Sequence, residues 1–107
     1  MAEHTERVAG YVVDLACIRR YPKDQLPTRS RAHTKRCAMM GHCVESGYGL
    51  VDELARVQPL DAAATPLVYE ALQASARDHG IWLVVERRNN DDEMETVRVE
   101  ERPAPSN

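Results

Sequence analysis

The chain has 107 residues, 43% of them apolar and 29% charged, with a net charge of −3 at neutral pH. That length fits one domain with a modest core, and its longest apolar runs, about five residues, fall far short of the about 20 that span a bilayer. Aromatic residues are few, Trp82 and four tyrosines with no phenylalanine, so the core rests on Val, Leu, Ile and Ala and would gain from an added staple, a disulfide or a metal.

Met1 to Arg7 is polar and acidic without an apolar stretch, which predicts no export signal and a reducing cytoplasmic setting. The first strand is expected from Arg7 to Leu15, where Val8, Tyr11, Val12, Val13 and Leu15 supply β-branched and aromatic residues. Gly10 within it points to a bulge or a close backbone approach. From Ile18 to Ser30 the pattern fails: Tyr21-Pro22 and Leu26-Pro27 read as helix breakers, and an irregular loop is expected. Thr28, Ser30 and Thr34 are candidate caps, and a short helical turn is expected from Arg31 to Met40, ended by Gly41. Ser46-Gly47 reads as a turn into a strand at Tyr48 to Val51. Asp52-Glu53 then turns into a second strand at Ala55 to Leu60.

Asp61 to Asp78 is the clearest helix. Thr65-Pro66 is read as cap and first turn, Leu67, Val68, Ala71, Leu72, Ser75 and Ala76 as one stripe, and Gly80 as the stop. Ile81 to Arg87 and Met94 to Glu101 are expected as a hairpin around Asn89-Asn90-Asp91-Asp92. Residues 1–102 thus make one metal-binding β domain, followed by a disordered tail at 103–107. Five short strands with one helix between the third and fourth predict a mainly β fold, a small five-stranded OB-like barrel. The alternative is an α+β sheet with one packed helix.

Three cysteines, an odd number, cannot all pair within the chain, and in a reducing compartment clustered thiols serve more often as ligands or redox groups. Cys17, His33, Cys37 and Cys43 form the candidate metal cluster. His33 and Cys37 at i, i+4 would share one face of a helical turn. Cys43 can fold back after a glycine, and Cys17 arrives from the end of the first strand. A Cys3His set suits tetrahedral zinc. His42, beside Cys43, is an alternative ligand. Met39 and Met40 would suit copper(I), and an iron–sulfur cluster is a further alternative cofactor. Residues 18–37 carry seven basic side chains against Asp24 alone, +6, whereas residues 52–107 carry −6. The cationic segment surrounds His33 and Cys37 and is expected to favour thiolates.

The strings Gly10-Tyr11-Val12-Val13-Asp14-Leu15-Ala16-Cys17, His33-Thr34-Lys35-Arg36-Cys37-Ala38-Met39-Met40 and Cys43-Val44-Glu45-Ser46-Gly47-Tyr48 resemble a family of small bacterial proteins. That family is largely uncharacterised and often exported. Its pattern runs G-[YK]-[IV]-[IV]-D-x2-C, H-T-x2-C-x-[LM]-M and C-x2-[SG]-G-[YA], followed by a helix and a final hairpin. Leu60-Asp61, the helix and the hairpin from Trp82 to Val99 occupy corresponding places here. The residue at position 42 is commonly not histidine in that family, so the resemblance favours His33 as the fourth ligand. This chain departs from the pattern in showing no export signal and in placing Asp52-Glu53 where the family has an Asp-Gly-Lys turn. The resemblance implies a site and no activity.

Two other readings stand beside the metal reading. An OB-like module could bind nucleic acid or a protein partner through its basic segment, yet base-stacking aromatics are nearly absent and the acidic remainder repels phosphate, so nucleic acid is disfavoured. An enzyme lacks a recognisable motif: no C-x-x-C pair is present. Cys37, His33 and Asp14 could make a nucleophilic site only in principle, and Asp14 is read as a structural residue that hydrogen-bonds backbone. The acids at 91–95 read as a solvated hairpin turn without calcium-site spacing. The expectation is therefore a metal ion as ligand, with a protein partner open, no membrane and no catalysis.

Overall fold

β-branched and aromatic residues gather in five segments that pair into one antiparallel sheet, shown by the computed structural model. It describes residues 4–90 and 93–105, with His4, Pro27, His42, Cys43, Asn90, Glu93 and Met94 described by backbone alone. The strands are β1 (His4–Asp14), β2 (Tyr48–Val51), β3 (Val57–Pro59), β4 (Trp82–Asn90) and β5 (Glu93–Glu101), in spatial order β3-β2-β1-β4-β5. The long central β1 serves two neighbours. Its first part pairs with β4 as far as Tyr11 opposite Trp82, and its last part pairs with β2, from Tyr11 opposite Val51 to Asp14 opposite Tyr48. Gly10 lies at the changeover: a Cβ there would stand 2.7 Å from the Val51 carbonyl oxygen, which is the close approach its presence in a strand suggests.

The sheet is open. β3 and β5 are its two edges, and no ladder joins them among the described residues. The fold is mainly β, as expected, with five antiparallel strands and one long helix, but the sheet does not close into the expected OB-like barrel. Closure would require the edge strands to meet, and β3 is only three residues long, ending on Pro59, which has no N–H to extend a ladder.

Period-2 alternation along β1 sends Val12 and Val13 to opposite faces. On the first face Val12, Tyr48, Leu50, Leu83 and Val85 pack under α5 (Ala64–Ala74), whose Ala64, Val68 and Leu72 recur every four residues along its buried side. On the second face Val13 and Val51 are covered by Ile18 and Leu26. Each fully buried Leu or Val contributes about 1.5–3 kcal/mol, so both layers matter to a core this small. Tyr11 and Trp82 meet edge to face with ring centres 5.0 Å apart.

α5 is shorter than the expected span from Asp61 to Asp78. Asp61 is held outside it because its carboxylate accepts from the Thr96 backbone N–H at 3.1 Å and the Thr96 hydroxyl at 2.5 Å on β5. Ala63 is the cap, so Thr65-Pro66 falls inside the first turn, and at the other end Ser75 is already extended. The stretch expected to be irregular is also helical. It follows directly on α1 (Leu15–Ile18) and contains a 3-10 turn at Lys23–Gln25 and most of α2 (Leu26–Ala32). Pro27 is tolerated because it sits in the first turn of α2, where its missing N–H would have no intrahelical partner. Two further short helices follow, α3 (Lys35–Ala38) and α4 (Gly41–Ser46), so Gly41 begins a helix where a stop was expected.

Candidate metal centre

The two described cysteines sit in matching local structures. Asp14 ends β1 and caps α1, its Oδ2 accepting the Cys17 N–H at 2.9 Å. Thr34 caps α3 in the same way, its Oγ1 accepting the Cys37 N–H at 3.1 Å. Short polar side chains are favoured at this position because they satisfy donors that a first helical turn leaves free. Each cysteine is thus the third residue of a one-turn helix, in an Asp-x-x-Cys unit and a Thr-x-x-Cys unit. The fold sets the two units face to face, with the sulfurs of Cys17 and Cys37 3.7 Å apart. Both thiols are free and half-buried.

Asp14 completes the group. One of its carboxylate oxygens and the two sulfurs all lie within 4.8 Å of one another. The residue is fully buried, and an unpartnered carboxylate in such a place would cost several kcal/mol. Its partner is His33, whose Nε2 lies 2.8 Å from Oδ1 in a side chain only 7% exposed. His33 therefore reaches the sulfur pair through Asp14. It also does not share a helix face with Cys37: His33 has extended backbone (φ −63°, ψ 127°) and terminates α2, and Thr34 restarts the chain as the cap of α3. The i, i+4 spacing spans a break between two helices, which spacing alone cannot reveal.

A second chain segment fixes that break. The Lys35 N–H donates to the Asp78 carbonyl at 2.8 Å and the Gly80 N–H to the His33 carbonyl at 3.2 Å, forming a short bridge at Thr34 and His79. Lys35 Nζ also donates to the Ser75 carbonyl at 2.8 Å, placing a cation where the C-terminal carbonyls of α5 concentrate negative charge. Gly80 has a φ of +61°, and a Cβ on it would lie 2.7 Å from the Arg31 carbonyl oxygen, so this position demands glycine.

Burial, then the hydrogen bond to Asp14 and the proximity of Cys37, push the Cys17 thiol upward. This is opposite to the thiolate-favouring effect expected from the basic segment: at Cys17 burial first, then the Asp14 carboxylate, disfavours the thiolate. Without a bound cation Cys17 is a protonated thiol at neutral pH.

The side chains of Cys43 and His42 lie outside the described residues, as do Asp91 and Asp92 of the expected hairpin turn. The backbone of Cys43 belongs to α4, which packs against α1 and α3, the helices carrying the other two cysteines. Ser46 at its end accepts the Ala16 N–H at 3.1 Å. Asp14 is the residue whose part in the site sequence reasoning missed. The signal was the repeated spacing of a capping residue three positions before a cysteine, Asp14 to Cys17 and Thr34 to Cys37. Trp82, Tyr11 and Tyr48 are 7%, 8% and 0% exposed and are core residues rather than platforms for bases. No helix among the described residues is long and apolar enough to cross a membrane. No protein-family model, curated protein or solved structure matches the chain.

Proposed function

We propose that this is a small metal-binding protein in which Cys17, Cys37 and Asp14 hold zinc, with Cys43 of α4 supplying the fourth donor. The observation that carries the reading is the sulfur separation. Two thiolates on a tetrahedral zinc with bonds of about 2.3 Å stand about 3.8 Å apart, and Cys17 and Cys37 stand at 3.7 Å without rearrangement. An oxygen of Asp14 within 4.8 Å of both is a third donor of a type zinc accepts. A carboxylate is a poor companion for copper(I), which prefers thiolate and thioether, and an iron–sulfur cluster is held most often by four cysteines where this chain has three.

In this reading His33 acts on the metal through Asp14, fixing the carboxylate as hydrogen-bonded partners of metal ligands commonly do. His42 is the competitor of Cys43 for the fourth position. Zinc with two or three thiolates and a carboxylate carries net negative charge, and the +6 of residues 18–37 offsets it. The test is elemental analysis of protein purified under reducing conditions. One zinc per chain is expected, lost in Cys17→Ser and Cys37→Ser and weakened in Asp14→Asn. Metal-free protein whose unfolding temperature is unchanged by added zinc would refute the reading.

A further inference from the structure

Cys17 and Cys37 lie 3.7 Å apart, sulfur to sulfur, although twenty positions separate them in sequence. We infer that they also form a dithiol–disulfide couple, able to reduce a low-molecular-weight disulfide of the glutathione type. The sequence hides such a pair, because it contains no C-x-x-C. The fold builds an equivalent from two separate turns by giving each thiol the same place, third residue of a capped one-turn helix.

The geometry is permissive. A disulfide has a sulfur–sulfur bond of about 2.05 Å, so closure asks the two sulfurs, now 3.7 Å apart, to approach by about 1.7 Å. Both thiols are half-buried rather than sealed, so a small disulfide can reach them. Cys37 is taken as the entry point and Cys17 as the resolving thiol; the balance is the same with the two roles exchanged. In the first step the Cys37 sulfur attacks one sulfur of R–S–S–R, forming a mixed disulfide and releasing one R–SH. In the second the Cys17 sulfur attacks the Cys37 sulfur, closing the Cys17–Cys37 bond and releasing the second R–SH. The two protein thiols lose two hydrogens and two electrons, and the two released thiols gain them. Oxidation would withdraw both sulfur donors from any bound metal, so the couple would also govern metal release; only that consequence rests on the zinc reading.

The experiment uses the full chain, zinc-free and zinc-loaded, equilibrated with mixtures of glutathione disulfide and glutathione. Remaining thiols are alkylated, and the disulfides are mapped by peptide fragmentation while a metal-sensitive dye reads released zinc. The expected product is an intramolecular Cys17–Cys37 bond two mass units below the reduced chain, with two glutathiones formed per chain. The Cys43→Ser variant forms the same bond. A dominant bond to Cys43, disulfide-linked dimers, a mixed disulfide that never resolves, or full alkylation of both cysteines at every ratio would each overturn the inference. A Cys17–Cys37 bond in protein that binds no zinc would sustain the couple and refute the metal reading; bound zinc with no such bond would do the reverse.

Discussion

Replacing Gly80 with alanine tests whether the bridge between residues 33–35 and 78–80 holds the site together. Gly80 has a φ of +61°, and the added Cβ would stand 2.7 Å from the Arg31 carbonyl oxygen. The left-handed conformation alone costs an alanine about 1–2 kcal/mol. The contact is with backbone, so relief requires α2 or the strap itself to move, and the two effects together come to about 2–3 kcal/mol. With an unfolding entropy of about 2.1 cal/mol/K per residue, this chain loses about 0.22 kcal/mol per kelvin at its midpoint, so the melting temperature should fall by about 9–14 °C. Gly41→Ala is the control: Gly41 opens α4, and nothing lies within 4 Å of its Cβ position, so stability should hold or rise slightly. Thermal unfolding followed by circular dichroism measures both. Because the Gly80 N–H also holds the His33 carbonyl, zinc affinity should fall in Gly80→Ala and not in Gly41→Ala. A Gly80→Ala protein melting within about 2 °C of the parent would refute the strap as a structural requirement.

Other consequences follow from the same structure. Leu72, fully buried between α5 and the sheet, should cost about 2–5 kcal/mol when cut to alanine, read as a shifted urea midpoint at constant slope. Thr34→Ala removes the cap of α3 and should cost about 1 kcal/mol, with zinc affinity reduced because Cys37 loses its anchor. Burial acts to raise the Asp52 carboxyl, but the Arg56 backbone N–H, the Arg56 guanidinium and the Leu54 N–H together hold it below its ordinary value. Its contribution is therefore complete above the unfolded carboxyl value of about 3.9 and is lost as pH falls below that; Asp52→Asn should show a smaller acid-side decline in urea titrations. In metal-free, reduced protein the raised Cys17 thiol stays protonated at pH values where the unfolded chain, at about 8.5, has released its proton. Stability should then decline as pH rises past that value, less steeply in Cys17→Ser, and an identical alkaline slope in the two proteins would contradict the effect of burial and Asp14.

Elements whose signals are local were legible in the sequence. The strand at Tyr48–Val51 has the expected bounds, the final hairpin forms from the two expected strands although β4 runs on through Asn89 and Asn90, which were read as turn, and the stripe through Val68 and Leu72 marks the buried side of α5. The helix ends were less legible because tertiary partners set them: Thr96 draws Asp61 out of the first turn, and Lys35 meets the last carbonyls at Ser75. The region from 18 to 30 was misread because prolines that break a helix in its interior are neutral in its first turn, and only the capping context separates the two cases. At the site the cysteines drew attention by type, whereas Asp14 looked like a local hydrogen-bonding residue. It is one, as the cap of Cys17, and it also stands beside both sulfurs, a fact of three-dimensional packing.

Asp14 and Tyr48 face each other across β1 and β2, and immediately beyond them the Leu15 N–H donates to the Gly47 carbonyl at 3.0 Å. Residues 15–47, with every described donor except Asp14, therefore leave and rejoin the sheet at a single neck. Topologically this is a long insert in a hairpin, and closing so long a loop costs only slightly more entropy than closing a short one. The sheet would tolerate a tight turn in its place, provided the second face were remade polar, because Ile18 and Leu26 from the insert are what shield Val13 and Val51. The site is thus a transplantable module whose receiving scaffold needs two adjacent antiparallel strands, a carboxylate on the last paired residue and an apolar patch beneath.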